Sequence, residues 1–251
     1  NNGQTLHGGE KGVDMVVWDV VEVKPESVVL HYLAADGEDG FPGNLDITMT
    51  YTLTENDEFR VDYKATTDAA TVVNLSHHSF FNLKGEAGGT ITDHILTINA
   101  DHITPVDANL IPTGELMPVE GTPFDFRQPT AIGDRIEADN EQLRNGKGYD
   151  LNWALAREDN GEIMTVATLY EPQSGRAMDV LTDQIALQFY SGNFFDGSYT
   201  GKYGKPLAFR ESVVFESQRY PDAPNHENFP SVVLRPEEEY RHTCIYRLYT
   251  K

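Results

Sequence analysis

Apolar and polar residues alternate with a period of two along much of the chain. Between Leu45 and Leu53 the apolar positions are Leu45, Ile47, Met49, Tyr51 and Leu53, separated by Asp46, Thr48, Thr50 and Thr52. Successive side chains of a strand point to opposite faces, so this run predicts a strand with one buried and one wet face. Glu55-Asn56-Asp57-Glu58 reads as a turn. Phe59, Val61, Tyr63 and Ala65 then resume the alternation, which predicts an antiparallel hairpin. Further strands are expected over 27–33, 71–75, 94–98, 163–170, 177–182, 185–190, 212–218 and 242–249. Turn formers such as Asp159-Asn160-Gly161 and Gln173-Ser174-Gly175 separate most of them. One helix is expected, a short polar one over 131–143. There is no βαβ alternation and no internal repeat. Many strands with few helices predict an all-β fold, a large antiparallel β-sandwich. No linker divides the chain, so a single domain over 1–251 is expected. The proline-rich stretch 104–127 carries spaced apolar anchors (Val106, Leu110, Ile111, Leu116, Met117), which predicts an ordered excursion rather than a boundary.

The bulk numbers narrow the classes. A chain of 251 residues is long enough to bury a full core. Its net charge of -21 argues against a nucleic-acid partner, because phosphate binding needs a basic face. No apolar stretch approaches the length of a membrane span, so a soluble protein is expected. The single cysteine, Cys244, excludes an intramolecular disulfide and a cysteine-based zinc site. It lies in the apolar run Thr243-Cys244-Ile245-Tyr246 and reads as a buried structural thiol. The cytoplasm is the expected compartment and a monomer the expected state. No signal peptide is visible. The chain opens at Asn1-Asn2-Gly3 without an initiating Met, so residues upstream are expected and a periplasmic location stays open.

Five segments carry candidate chemistry. Glu216 ends the apolar run Ser212-Val213-Val214-Phe215 and is followed by the loop Tyr220-Pro221-Asp222-Ala223-Pro224-Asn225. A carboxylate on a rigid element at the mouth of a cleft suits a general base. His77-His78-Ser79-Phe80-Phe81-Asn82 puts two imidazoles at a strand end, where neighbouring side chains diverge and only one faces a given cleft. Such an imidazole suits acid chemistry near neutral pH, and a pair of structural histidines explains the residues equally well. A metal site is disfavoured, since the pair diverges and no third ligand sits at regular spacing. His7 precedes Gly8-Gly9, which permits close presentation at a pocket wall; an exposed turn histidine is the simpler local reading. Asp150, in Gly148-Tyr149-Asp150, suits hydrogen bonding to vicinal hydroxyls or a plain turn. Gln188 lies between apolar residues on a strand and faces either solvent or a site. No nucleophile elbow, P-loop or dinucleotide fingerprint is present.

Together these segments resemble the aldose 1-epimerase family. The matching segments begin at Asn2-Gly3 and Leu6-His7-Gly8-Gly9 and continue through Asn74–Leu83, Thr104-Pro105-Val106 and Ile111-Pro112-Thr113-Gly114-Glu115. Gly148-Tyr149-Asp150, Gln188–Asn193, Glu216-Ser217-Gln218, Tyr220–Asn225 and Phe229-Pro230-Ser231 complete the series. The resemblance covers nearly the whole chain. It implies a large antiparallel β-sandwich that interconverts the α and β anomers of a free aldohexose without a cofactor. It implies that Glu216 takes the proton of the C1 hydroxyl and His78 protonates the ring oxygen. It further implies that His7, Asp150 and Gln188 hold the sugar, with Ser79 and Phe80 lining the pocket. The family's substrate-contacting Asn-Arg segment lies upstream of the point where this chain begins, so a shortened N-terminal side of the sandwich is expected. His77, Phe80 and Leu151 stand where the family commonly has Asn, Tyr and His. Arg210 and Arg219, near Glu216 in sequence, leave a sugar-phosphate epimerase as an alternative. Asp150 with Glu216 as a glycosidase pair leaves both histidines unexplained. A sugar-binding module without turnover is the remaining alternative.

Overall fold

The structure is a computed structural model that describes residues 3–251; the resemblance at Asn2 lies outside them. Sixteen strands occur among the described residues. They are β1 (Asp19–Val23), β2 (Ser27–Ala34), β3 (Leu45–Leu53), β4 (Glu58–Thr67), β5 (Thr71–Val72), β6 (Ile95–Ile98), β7 (Ala100–Thr104) and β8 (Met117–Pro118). There follow β9 (Thr130–Ala131), β10 (Asp150–Leu155), β11 (Met164–Tyr170), β12 (Arg176–Thr182), β13 (Ala186–Tyr190), β14 (Val214–Gln218), β15 (Val233–Leu234) and β16 (Tyr240–Thr250). Nine form one sheet in the order β1-β2-β3-β4-β16-β12-β11-β6-β9. Five form a second, β14-β13-β10-β7-β8, and β15 pairs with β5. The pairing of these strands is antiparallel throughout, as in the hairpin of β3 and β4, where Met49 faces Tyr63 and Tyr51 faces Val61.

The two large sheets enclose one apolar core. Leu96, Leu169, Met178, Val180, Cys244 and Tyr246 of the nine-stranded sheet share a cluster with Ile103, Leu151, Trp153, Leu187, Phe189 and Phe215 of the five-stranded sheet. Each fully buried large apolar side chain contributes roughly 1.5–3 kcal/mol. Because these are the odd-numbered positions of β10, β13 and β14, the period of two turns Asn152, Gln188 and Glu216 to the other face. The core thus fixes which side chains form the site.

Most expected strands are present with small shifts at their ends. The strand expected over 71–75 stops at Val72, and β1, β7, β10 and the two-residue strands β8, β9 and β15 were not expected. The helix expected over 131–143 is instead a 3-10 turn at Ile132–Asp134 and an α-helix, α1 (Glu141–Gly146). Ile132, Ile136 and Leu143 are each buried in the core, and no continuous helix joins them. The Asn140 side chain accepts a hydrogen bond from the Gln142 amide at 2.9 Å and starts the helix there. The stretch 104–127 is ordered, with Val119, Phe124 and Phe126 buried. No helix among the described residues is long and apolar enough to cross a membrane.

Candidate active site

The site lies on the face of the five-stranded sheet turned away from the core. In register across β10, β13 and β14, Asn152 stands opposite Gln188 and Gln188 opposite Glu216. Asp150 is two residues before Asn152 and so shares its face. Gln188 Nε2 donates to Asp150 Oδ1 at 2.8 Å, which fixes both side chains. Asp150 begins a strand rather than closing a turn. Its placement depends on Gly148, whose φ is 143°, and a Cβ there would lie 2.4 Å from Asn193 Oδ1. Asn193 Nδ2 donates to the carbonyls of Gly146 at 2.9 Å and Tyr149 at 2.8 Å. Its Oδ1 accepts from Ser191 Oγ at 2.7 Å. The motifs around Gly148 and Asn193 are therefore two halves of one joint.

His78 comes from an irregular segment that runs beside β14 without a continuous backbone ladder. Side chains tie it there instead. Asn74 Nδ2 donates to the Arg219 carbonyl at 3.1 Å, and the Arg219 amide donates to Asn74 Oδ1 at 2.8 Å. Ser76 Oγ donates to the Ser217 carbonyl at 3.0 Å. Buried His242 bridges the Ser217 hydroxyl at 2.8 Å and the Leu75 carbonyl at 3.0 Å. At the far end Phe81 and Val213 exchange backbone hydrogen bonds of 2.8 Å. These anchors leave His78 Nε2 3.6 Å from Glu216 Oε1.

The two histidines do diverge. His77 turns inward against Tyr51, Phe59 and Tyr246, with ring centroids 5.3–5.8 Å apart. His78 faces Phe80 at 5.0 Å and Tyr190 at 6.5 Å. Phe80 also meets Phe195 at 5.1 Å, so it forms an aromatic wall beside the pair. Ser79 Oγ lies 3.4 Å from His77 Nε2 and so engages the inward histidine. His7, on the exposed turn with Gly8 and Gly9, reaches the same place: its ring centroid is 5.5 Å from that of His78. Asp39 Oδ1 accepts from the Glu10 amide at 2.9 Å and the Lys11 amide at 3.2 Å, tethering that loop. His7, His78 and Glu216 each offer a ligand atom within 4.8 Å of the others. Local spacing gave no hint of this third partner, because it arrives from a distant strand.

Burial sets the electrostatics. Glu216 is pushed up to about 8, first by desolvation and then by the nearby charge of Asp150. Desolvation raises Asp150 to about 6, against the opposing hydrogen bond from Gln188. His78 is lowered, mainly by desolvation, with His7 adding to the effect. Both members of the His78–Glu216 pair therefore favour their neutral forms at rest. The basic residues near Glu216 in sequence are engaged elsewhere. Arg210 pairs with Glu137, and Arg219 pairs with Asp159.

One polar residue on this face was not expected. Asn152 is 2% exposed, yet neither amide atom has a hydrogen-bond partner. Its neighbour in register, Thr104, has a buried and unpartnered hydroxyl as well. Its polarity within the apolar run Leu151-Asn152-Trp153 was the available signal, since a buried amide among apolar residues calls for a polar partner.

Known proteins resemble this chain over most of its length. Residues 1–247 match the family model described as aldose 1-epimerase. Human galactose mutarotase is 42% identical over 243 residues, covering 97% of this chain and 68% of the relative. Aldose 1-epimerase of Escherichia coli K12 is 38% identical over 244 residues, covering 96% and 69%. Among solved structures, an aldose epimerase homologue from C. elegans superposes with a TM-score of 0.89 at 28% identity, covering 100% of this chain and 74% of that one. Galactose 1-epimerase from Lactobacillus acidophilus superposes with a TM-score of 0.83 at 29% identity, covering 98% and 70%. The match over nearly the whole sequence, with the same sandwich, means that this chain belongs to the aldose 1-epimerase family.

Proposed function

We propose that this site interconverts the α and β anomers of free aldohexoses, galactose and glucose, by opening and reclosing the ring. The observation that carries the reading is the 3.6 Å approach of His78 Nε2 to Glu216 Oε1, beside the fixed Asp150–Gln188 pair. Glu216 removes the proton of the C1 hydroxyl while His78 protonates the ring oxygen. The C1–O5 bond breaks, the aldehyde rotates about C1–C2, and ring closure reverses both transfers. Either anomer reacts in one site, so each group acts as acid in one direction and base in the other. Asp150 and Gln188 receive sugar hydroxyls, His7 closes the site from the loop side, and Phe80 offers a flat apolar wall to a sugar face.

The engagement of Arg210 and Arg219 with carboxylates argues against a phosphate subsite. The role assigned to His78 argues against a glycosidase, and the proton-transfer pair argues against a module that only binds. The shared core of the two sheets supports one domain over 1–251. The net charge of -21 opposes self-association and polyanionic partners, which supports a monomer. One buried cysteine fits the reducing cytoplasm.

Polarimetry on freshly dissolved α-galactose tests the reading. The wild-type chain should speed the approach to anomeric equilibrium. Glu216→Gln should slow it by about 10²–10⁴-fold, the usual worth of a positioned acid or base. A variant that keeps the wild-type rate would remove Glu216 from the reaction.

A further inference from the structure

We propose that His7, His78 and Glu216 form a three-ligand site for a divalent transition-metal ion of the zinc type, and that such an ion switches the sugar site off. Each residue presents one ligand atom, and the three atoms lie within 4.8 Å of one another. Zinc binds imidazole nitrogen and carboxylate oxygen at about 2.0–2.2 Å in tetrahedral geometry, which sets neighbouring donors roughly 3.3–3.5 Å apart. The His78–Glu216 separation of 3.6 Å already approximates that bite. His7 is exposed on a glycine-flanked turn, so rotation of its side chain can bring its nitrogen into ligand range. His78 and Glu216 are held by the side-chain ties described above, so two of the three ligands stand on anchored segments.

The donor set also selects the ion. Two imidazoles and one carboxylate with an open fourth position suit zinc, whereas magnesium and calcium prefer oxygen ligands. An ion bound there occupies the Nε2 lone pair of His78 and the carboxylate of Glu216. Those are the atoms assigned above to proton transfer, so metal and turnover exclude each other. Metal binding follows from the geometry alone. The inhibitory consequence rests on the proposed mutarotase reading.

Calorimetric titration of chelator-treated protein with zinc chloride, with magnesium chloride as comparison, separates the two. Zinc should bind one to one and magnesium should not. His7→Ala should weaken zinc binding at least tenfold, and Glu216→Gln should do the same in a chain whose circular dichroism is unchanged. Saturating galactose should weaken zinc binding, and zinc should abolish mutarotation reversibly, with EDTA restoring it. Zinc binding that is absent, or unchanged in both variants, overturns the metal site. Mutarotation that persists with zinc bound one to one also overturns it and leaves the enzyme reading intact. If zinc binds as expected but galactose is never anomerised, the metal site stands and the enzyme reading falls.

Discussion

Glu216 and His78 share one proton near neutral pH, and its position distinguishes the resting site from the working one. Burial favours neutral carboxyl and neutral imidazole, so at rest the proton sits on Glu216. The working form, carboxylate with imidazolium, contains the same number of protons. In the proposed reaction a bound sugar would place a donor hydroxyl against Glu216 and an acceptor ring oxygen against His78, which would favour the charged isomer. An ordinary glutamate is ionised at this pH; burial of Glu216 on β14, beside Asp150, changes that. The titration belongs to the pair rather than to either residue. Activity should fall on the acid side, below 6.5, as His78 takes a second proton, and on the alkaline side near pH 8, as Glu216 loses the last one. Asp150, raised to about 6, adds to the acid limb by losing its charge towards the sugar, and His7 faces the pair from the loop. A polarimetric profile of kcat/KM that stays level from pH 7 to 9.5 would contradict this account. Asn152 allows a second test at this scale. Replacing an unpartnered buried amide by an apolar side chain of similar size is close to neutral for stability. Asn152→Leu should therefore keep or raise Tm while raising KM for galactose about tenfold, near 1.4 kcal/mol, if its amide completes the sugar site.

At the scale of elements, the proposed acid, His78, is carried by a segment without a ladder and the proposed base, Glu216, by a strand within one. Their mutual placement depends on Asn74, Ser76 and His242, which replace the missing backbone bonds. Asn74→Ala removes both bonds to Arg219. Displacing a catalytic group by a fraction of an ångström reduces turnover more than binding. Asn74→Ala should lower kcat roughly tenfold with KM changed by less than about threefold, measured at saturating galactose. An equal loss in both parameters would point to general damage to the pocket. The strands were legible where one face is buried and the other wet, as at β3. β10 was not read, because Gly148-Tyr149-Asp150 suggested a turn and hid the alternation of Leu151, Trp153 and Leu155. The helix over 131–143 was misjudged for a related reason. Its apolar residues are gripped separately by the core, and the cap at Asn140 marks the true start.

For the whole molecule, the site is a source of instability that the core offsets. Glu216 has a folded value near 8 against an ordinary 4.5, so the folded state holds its proton more tightly than the unfolded chain. The stability linked to that proton is complete below about pH 4.5 and lost as pH rises through 8. Glu216→Gln should therefore raise stability at pH 9 by roughly 1–4 kcal/mol, with the gain shrinking towards pH 4.5, as read by denaturant unfolding. Buried His242 and His77 act oppositely. Their folded values, about 3 and about 4, lie below the ordinary 6.5, so the unfolded chain binds more protons and stability falls as pH drops through 6.5. The melting temperature should decline below that pH even in Glu216→Gln. By itself the sequence determined the all-β architecture, because alternation, turn chemistry and scarce helix signals act over neighbouring residues. It also put His7, His78, Asp150, Gln188 and Glu216 forward as candidates, through the order in which their segments resemble the aldose 1-epimerase family rather than through the local company each keeps. Only the tertiary structure decided which of them meet, that Ser79 turns to His77, that Asn152 joins the row, and that the His78–Glu216 pair rests neutral. Those facts depend on strand register, on ties between segments far apart in the chain, and on exclusion of water, none of which exists until the sheets have packed.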